Sequence, residues 1–313
     1  MRVVLPGGSG YVGRHLAARL QARGDEVTVL TRGPTGDRDG VRFVTWDGVG
    51  PGPWVAALEG ADAIVHLAGR RVDVRPTARN IAELETSRVA SVAAVGRAIA
   101  GLDDPPSTWV QLATLAIHGD AGEARLTEQS PVPRHGPAQM VGVATAWERA
   151  VAAATVGLER TVVLRAGVAI GPGDPATAQL ARLARWGLGG RIASGRQWVS
   201  WIALVDLLMV LERSLDDPSM EGVYLATAPV AVRNRELMAA VRRSVGRRIG
   251  LPAPRLAATV GAWALGADPA LALTGRRGVP VRLRAAGVEF ACPDIDTALA
   301  AAGRPLPHID APR

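Results

Sequence analysis

Met1-Arg2-Val3-Val4-Leu5-Pro6-Gly7-Gly8-Ser9-Gly10-Tyr11-Val12-Gly13 opens the chain and decides how it folds. Arg2 to Leu5 reads as a short buried strand, and Arg14 to Leu20 as a helical run. Between them stand Gly7, Gly10 and Gly13, spaced G-x-x-G-x-x-G rather than the commoner G-x-G-x-x-G. Strand, glycine-rich turn and helix together lay a pyrophosphate on the helix's first N–H groups. The glycines serve three different ends. One makes the tight turn, one lets the backbone approach the phosphate, and one lets helix pack on strand. Ordinary β–α corners use glycine too, but this turn has the strand before it and the helix after it that dinucleotide binding needs. Ser9, Tyr11 and Val12 fill the same turn and are expected at the cofactor with the glycines.

Outward from that turn, Glu26 to Leu30 is a second strand rich in β-branched residues. An acid near this strand's end holds the ribose 2′-hydroxyl of NAD, whereas an arginine suits the 2′-phosphate of NADP. Thr31-Arg32 stands there with no acid, so Arg32 points to NADP. Val41 to Trp46 is a third strand ending at Asp47, another expected cofactor contact. Ala63 to Leu67 is a fourth strand that opens into Ala68-Gly69, where Leu67, Ala68 and Gly69 let a ribose lie against bare backbone. Ile81 to Ala100 is helical, with Ile81, Leu84, Val92, Val95 and Ile99 inward, and Trp109 to Thr114 is a fifth strand. Alternating strands and helices predict an α/β fold, a doubly wound parallel sheet of the NAD(P)-binding Rossmann type, with a smaller C-terminal α/β substrate domain. The expected division is 1–170 and 204–230 for the dinucleotide-binding domain, and 171–203 and 231–313 for the substrate-binding cap.

Composition narrows the remaining classes. With 313 residues and 48% hydrophobic content, the chain has enough apolar material for a substantial core. Its one cysteine, Cys292, permits no internal disulfide, and a cytoplasmic setting is expected. The chain enters a strand at once, without a signal-peptide layout, and the longest apolar run, Leu256 to Gly266, is too short to span a bilayer. The formal charge of +7 comes entirely from arginine on the basic side, since the sequence has no lysine. Those arginines are scattered in ones and twos without interleaved aromatics, so neither nucleic acid nor membrane is expected as a partner. No metal-ligating cluster is expected, and the oligomeric state is left open.

Further motifs make the chain resemble an extended short-chain dehydrogenase/reductase of the "epimerase family" branch. They are Gly7 to Gly13, His66-Leu67-Ala68-Gly69, Ala146-Trp147-Glu148, Arg165 to Val168 with Gly171-Pro172-Gly173, Gly187 to Gly190, Ser194 to Trp198, and Ser200-Trp201-Ile202. Ala226 to Pro229, Val232-Arg233-Asn234 and the terminal Ala285-Ala286-Gly287, Phe290 and Pro293 extend the likeness over essentially the whole chain. The wider superfamily normally carries a Tyr-x-x-x-Lys pair on the helix after the fifth strand, the tyrosine handling the proton and the lysine holding the nicotinamide ribose, and the branch this chain resembles tends to lack it. Registered on Glu148, Met140 stands at the tyrosine position and Ala144 at the lysine position. The only tyrosines, Tyr11 and Tyr224, are far away in the sequence, so the pair is absent.

Thr114 aligns with the family's strand-end serine or threonine and is expected to hydrogen-bond the substrate oxygen. His118 is expected as acid or base, since a histidine titrates near neutral pH; His135 is a further loop histidine. Glu148 reads as structural. Arg196, Gln197, Trp198 and Trp201, with Trp186 and Trp263, are expected to line a pocket for a flat, largely apolar substrate carrying an oxyanion or carboxylate. The expected function is an NADP-dependent oxidoreductase or epimerase-like enzyme acting on a small carbonyl or alcohol. The alternatives are a non-redox lyase, cyclase or isomerase, or a non-catalytic NADP-binding sensor or partner protein. The proline-bearing end, Pro305 to Arg313, is expected to be mobile.

Overall fold

Apolar strands alternating with amphipathic helices build an eight-stranded sheet in the computed structural model, which describes residues 1–312. The first strands are β1 (Arg2–Pro6), β2 (Glu26–Thr31), β3 (Gly36–Arg38), β4 (Val41–Thr45), β5 (Ala63–His66) and β6 (Thr108–Thr114). There follow β7 (Arg125–Leu126), β8 (Arg160–Ala166), β9 (Val168–Ile170), β10 (Trp198–Val199) and β11 (Trp201–Ala203). The last are β12 (Gly222–Ala226), β13 (Val232–Arg233) and β14 (Arg277–Gly278). The main sheet runs β12-β8-β6-β5-β1-β2-β4-β3, every neighbour parallel except the β3–β4 edge. Strand β3 has no apolar alternation, which is why the sequence does not announce it. Strand order reverses at β1, between β2 and β5, and such a switch point opens the crevice that binds ligands in α/β sheets.

The helices are α1 (Tyr11–Ala22), α2 (Ala78–Ile99), α3 (Val143–Ala154), α4 (Pro175–Arg185) and α5 (Leu204–Asp216), then α6 (Asn234–Ser244), α7 (Arg255–Ala264), α8 (Ala270–Leu273), α9 (Val281–Ala285) and α10 (Ile295–Ala302). Period-two alternation divides β1 between two cores. Val3 and Leu5 pack with Leu16 and Leu20 of α1 and Leu207 and Leu211 of α5. Val4 packs on the other face with Val92 and Val95 of α2 and Trp147 of α3. Helix α2 begins three residues before Ile81 because Thr77 caps it, accepting the Asn80 N–H. Among the described residues no helix is long and apolar enough to cross a membrane.

A third core, with Ala184, Trp201, Leu237, Val241 and Ala298, holds the cap together. The C-terminal segment crosses the expected division, because Leu283, Val288 and Ile309 pack into the sheet's own core beside α1 and α5. The expected mobility of the tail is corrected here. Ile309 is 5% exposed and its N–H donates to the Arg14 carbonyl at 3.2 Å, while the His308 ring meets the His15 edge. A single buried isoleucine in a proline-bearing segment outweighs the local composition. Arg313 lies outside the described residues.

His66 ends β5 fully buried, its ring stacked on Trp109 with centroids 5.4 Å apart. Burial pushes its pKa from 6.5 down to about 3. Above pH 6.5 the folded and unfolded histidines are both neutral. Below that, the unfolded chain takes up a proton that the folded chain refuses, so stability falls with decreasing pH until about pH 3. His66→Phe, which keeps the stack and cannot be protonated, is expected to flatten the acid side of the stability curve by up to ~1.4 kcal/mol per pH unit. Parallel curves for variant and parent from pH 6.5 to 4, measured by urea titration, would refute the assignment.

Candidate active site

The crevice at the switch point is a groove of about 300 Å³ lined by Gly7, Ser9, Gly10, Arg32, Asp47, Leu67, Ala68 and Gly69, with Thr86, Ser87 and Ser91 of α2 along one wall. Gly7 adopts φ +78°, and a Cβ there would lie 2.5 Å from the Ala68 Cα, so the ends of β1 and β5 meet through bare backbone. A Cβ on Gly13 would fall 2.4 Å from the Gly8 Cα, the close helix-to-turn approach that the third glycine permits. A Cβ on Gly10 would meet only the Gly7 carbonyl, at 3.3 Å, leaving open space above the start of α1. Gly10 caps α1 without a side-chain hydrogen bond, and no acid occupies the first turn. An uncapped, acid-free helix start under an open cradle fits a dinucleotide's diphosphate.

Ser9 and Thr31 hydroxyls lie 3.0 Å apart across the groove's mouth. Arg32 is exposed beside them and has no ion pair among the described residues. Asp47 accepts the Val49 and Gly50 N–H groups at 2.8 and 2.9 Å, which holds its carboxyl below the usual range. Tyr11 and Val12 belong to the first turn of α1, and their side chains pack on the adjoining core. The Tyr11 hydroxyl is buried against Gly171, and desolvation pushes its ionisation up. These two residues therefore offer a ligand their backbone N–H groups rather than their side chains.

Thr114 ends β6 and its Oγ1 accepts the Ala116 N–H at 3.1 Å, leaving the hydroxyl hydrogen for another acceptor. His118 is different. It is 3% exposed, lines neither the groove nor the cleft described below, and its Nε2 lies 3.3 Å from Arg165 Nη1. Burial and the Arg165 charge push its pKa down. The expectation of His118 as acid or base is thus corrected: a neutral imidazole facing a guanidinium accepts a hydrogen bond and positions its neighbour. Arg165 in turn makes a bidentate pair with Glu148 at 2.8 and 2.7 Å, so Glu148 acts across the sheet rather than within its own helix. His135 lies exposed in its loop.

Met140 is buried in the π-helical turn Ala138–Gly142 that feeds α3. Its Sδ lies 3.4 Å from Nη1 of Arg276, whose guanidinium also donates to the Gly119 carbonyl at 2.9 Å. The family's tyrosine position is therefore covered by a cation from the cap, one whose pKa burial pushes down.

The cap's aromatics do not make a pocket. Trp201 is 1% exposed in the cap core, and Trp186 is 72% exposed at the end of α4. Trp198 carries the Arg233 and Arg277 guanidiniums over its ring at 3.8 and 4.4 Å, and donates from Nε1 to Glu123. Arg233 holds the same Glu123 carboxylate, keeping its pKa down at about 2. Gln197 donates to the Ile192 and Ala272 carbonyls and fixes the loop. What opens instead is a cleft of about 640 Å³ beside Gly275, lined by Arg191, Arg196, Arg255, Gln197, Asp120 and Glu123. The expected apolar aromatic pocket is corrected to an arginine-lined one, because each tryptophan is taken by the core, by stacking cations or by solvent. Arg191, Arg255 and Arg276 were inconspicuous in a sequence where every lysine-or-arginine position is arginine.

A doubly wound sheet with a glycine cradle at its switch point and a cleft under a C-terminal cap defines an NAD(P)-binding Rossmann protein of the extended short-chain dehydrogenase/reductase type. Residues 3–223 match the model of the NAD dependent epimerase/dehydratase family, and the chain belongs to that family. It is 34% identical over 305 residues to the bovine epimerase family protein SDR39U1, covering 96% of this chain and 98% of the relative. The human epimerase family protein SDR39U1 (isoform 2), solved with NADPH, superposes with a TM-score of 0.84 at 31% identity, over 96% of this chain and 99% of that one. A nucleoside-diphosphate sugar epimerase from Corynebacterium glutamicum gives a TM-score of 0.76 at 29% identity, over 97% of this chain and 59% of the other.

Proposed function

We propose that this chain is an NADP-dependent oxidoreductase or epimerase-like enzyme acting on a small carbonyl or alcohol compound that bears an anionic group. The cofactor half of this reading is carried by the glycine cradle with Arg32, which has no carboxylate partner among the described residues, at the end of β2. The similar human protein solved with NADPH supports it. The substrate half rests on the cleft, where Arg191, Arg196 and Arg255 face Asp120 and Glu123, and Glu123 is already held by Arg233. An excess of guanidinium in a concave site favours phosphate or carboxylate.

Bound NADP would supply hydride exchange. The Thr114 hydroxyl would donate its free hydrogen to a substrate oxygen brought to the end of β6, and Arg276 places a half-buried positive charge beside Met140, where it would favour negative charge developing on that oxygen. No side-chain acid stands at Met140, so water carries the proton, and the reaction lacks the ~100- to 10,000-fold assistance of a positioned donor. A second reading, non-redox chemistry or sensing with NADP bound, is favoured by the thioether of Met140 and the methyl of Ala144 at the pair's positions. Product formed at the parent rate with a redox-inactive NADP analogue in place of NADP would select it.

The cofactor reading is tested by titrating the protein with NADPH and NADH and following nicotinamide fluorescence. Arg32→Ala is expected to weaken NADPH about 10- to 100-fold, the worth of a charged hydrogen bond or two, and NADH by less than about twofold. Equal losses for the two would remove the assignment to NADP.

A further inference from the structure

The cap carries an apolar surface that nothing in the fold covers. Fifteen large apolar side chains are exposed among the described residues, and eight of them stand on two stretches of the cap, 175–205 and 237–267. Leu256, Val260 and Trp263 recur at helical spacing on α7, which has no buried residue, so their stripe faces solvent where a helix ordinarily faces a core. Ile249, 82% exposed, and Leu251 precede that helix, and Leu265 follows it. Trp186 and Leu188 stand at the end of α4. The two stretches form one surface because their backbones are joined. The Leu251 N–H donates to the Gly187 carbonyl at 2.7 Å, and the Ala253 N–H to the Arg191 carbonyl at 3.0 Å. Single exposed apolar residues need no explanation, but eight gathered on joined segments mark a contact surface.

Charge says what the contact is. Neither stretch contains an aspartate or glutamate, and together they carry nine arginines. Among the described residues only Arg243 of these nine has an ion pair, with Asp296. The sequence scatters these arginines in ones and twos, and the fold collects them around the apolar side chains. Arg182 stands over the Trp186 ring at 6.0 Å, Arg247 and Arg248 directly precede Ile249, and Arg255 opens α7. At the far end of the stripe Arg75, from the loop after β5, stacks on Trp263 at 5.8 Å. A second copy of this chain would set cation against cation across such a face, which is unfavourable. None of the eight apolar side chains lines the groove or the cleft, as the seat of an acidic peptide would require. Apolar side chains and tryptophans ringed by unpaired guanidiniums instead suit the boundary between anionic headgroups and acyl chains.

We infer that this face of the cap is a docking surface for an anionic lipid bilayer. Helix α7 lies along the membrane with Leu256, Val260, Trp263 and the neighbouring Ile249 among the headgroups, while Arg247, Arg248 and Arg255 meet lipid phosphates. The face adjoins the arginine-lined cleft, whose wall includes Arg191, Pro252, Pro254 and Arg255, so docking brings the cleft to the headgroup layer. The inference does not depend on which cofactor occupies the groove.

The experiment is flotation of the full chain with vesicles of phosphatidylcholine alone, or with about 30% phosphatidylserine added. The chain should float with the serine-containing vesicles at about 0.1 M salt, float far less with phosphatidylcholine alone, and be released at about 0.5 M salt. Arg247→Gln with Arg248→Gln should weaken binding about 25-fold, roughly fivefold for each charge. Leu256→Ser with Val260→Ser should weaken it about tenfold or more. Both pairs of side chains are exposed, so neither double variant should lower the melting temperature. Val156→Ser, at an exposed position outside this face, should bind like the parent. A parent that does not bind the charged vesicles, or binds both kinds equally, overturns the inference. Loss with the arginine pair but none with the apolar pair overturns it in favour of a charge-only contact, such as an acidic protein segment. A parent dimer in sedimentation that Leu256→Ser with Val260→Ser dissociates, without vesicle binding, overturns it in favour of a second copy.

Discussion

Gly10→Ala is expected to leave the fold standing and to remove most of the cofactor binding. A Cβ at Gly10 meets only the Gly7 carbonyl at 3.3 Å, and the backbone there, φ −73° and ψ 178°, is open to any residue. The cost to the free protein is the ordinary one of alanine at a helix N-cap, about 1 kcal/mol. The methyl instead occupies the space through which a diphosphate reaches the first N–H groups of α1. Losing one or two charged hydrogen bonds at roughly 1.5–3 kcal/mol each weakens NADPH about 10- to 10,000-fold. Gly7→Ala should behave in the opposite way. Its Cβ would lie 2.5 and 2.7 Å from the Ala68 backbone at φ +78°, so β1 and β5 must separate and the free protein itself is destabilised by several kcal/mol. Melting curves and NADPH titrations on both variants separate the two effects. A Gly10→Ala protein that binds NADPH like its parent would mean that the ligand does not cross this turn.

That contrast also explains why the first third of the chain was so legible. The strand, the three spaced glycines and the helix are local features, and what each glycine does follows from neighbours within a few residues or from the one strand alongside. The expected cofactor contacts Gly7, Ser9, Gly10, Arg32, Asp47 and Leu67 to Gly69 accordingly line one groove. The cap was misjudged because its tryptophans are placed by partners distant in the chain. Trp198 is claimed by Arg277 and by Glu123, 75 positions away, and Trp201 by a core that α6 and α10 complete. No local pattern distinguishes a tryptophan lining a pocket from one stacked under a guanidinium. The tail likewise reads as mobile by composition, and only the burial of Ile309 beside α1 overrules it.

His118 was misjudged for the same reason, and its true partners carry the largest stability effect expected in the molecule. Arg165 at the end of β8 reaches Glu148 on α3 with both forks of its guanidinium, and His118 lies 3.3 Å from its Nη1. The arginine and glutamate side chains are 8% and 18% exposed, so both charges are largely withdrawn from water. Removing one member leaves the other uncompensated, which typically costs about 3–5 kcal/mol, whereas replacing both by apolar groups is often close to neutral. Glu148→Ala is therefore expected to lower the unfolding free energy by that amount. The double variant Glu148→Leu, Arg165→Met should lose markedly less than either single variant, because neither charge remains to be solvated. The sign of that non-additivity is the test, since residues that merely fill space would give losses that add. In the single Glu148→Ala variant the guanidinium has only His118 left as a partner. Glu148 is one of the charges that raise the His118 pKa, so its loss lets burial and Arg165 push that pKa further below 6.5. The unfolded chain then takes up a proton that the folded variant refuses over a wider range, and the variant's deficit should widen as the pH falls. Urea unfolding of the parent, both single variants and the double variant at pH 7.5 and 5 measures every side of this cycle. A Glu148→Ala protein within about 1 kcal/mol of its parent at both pH values would mean that the pair is solvated and that His118 is not held by it.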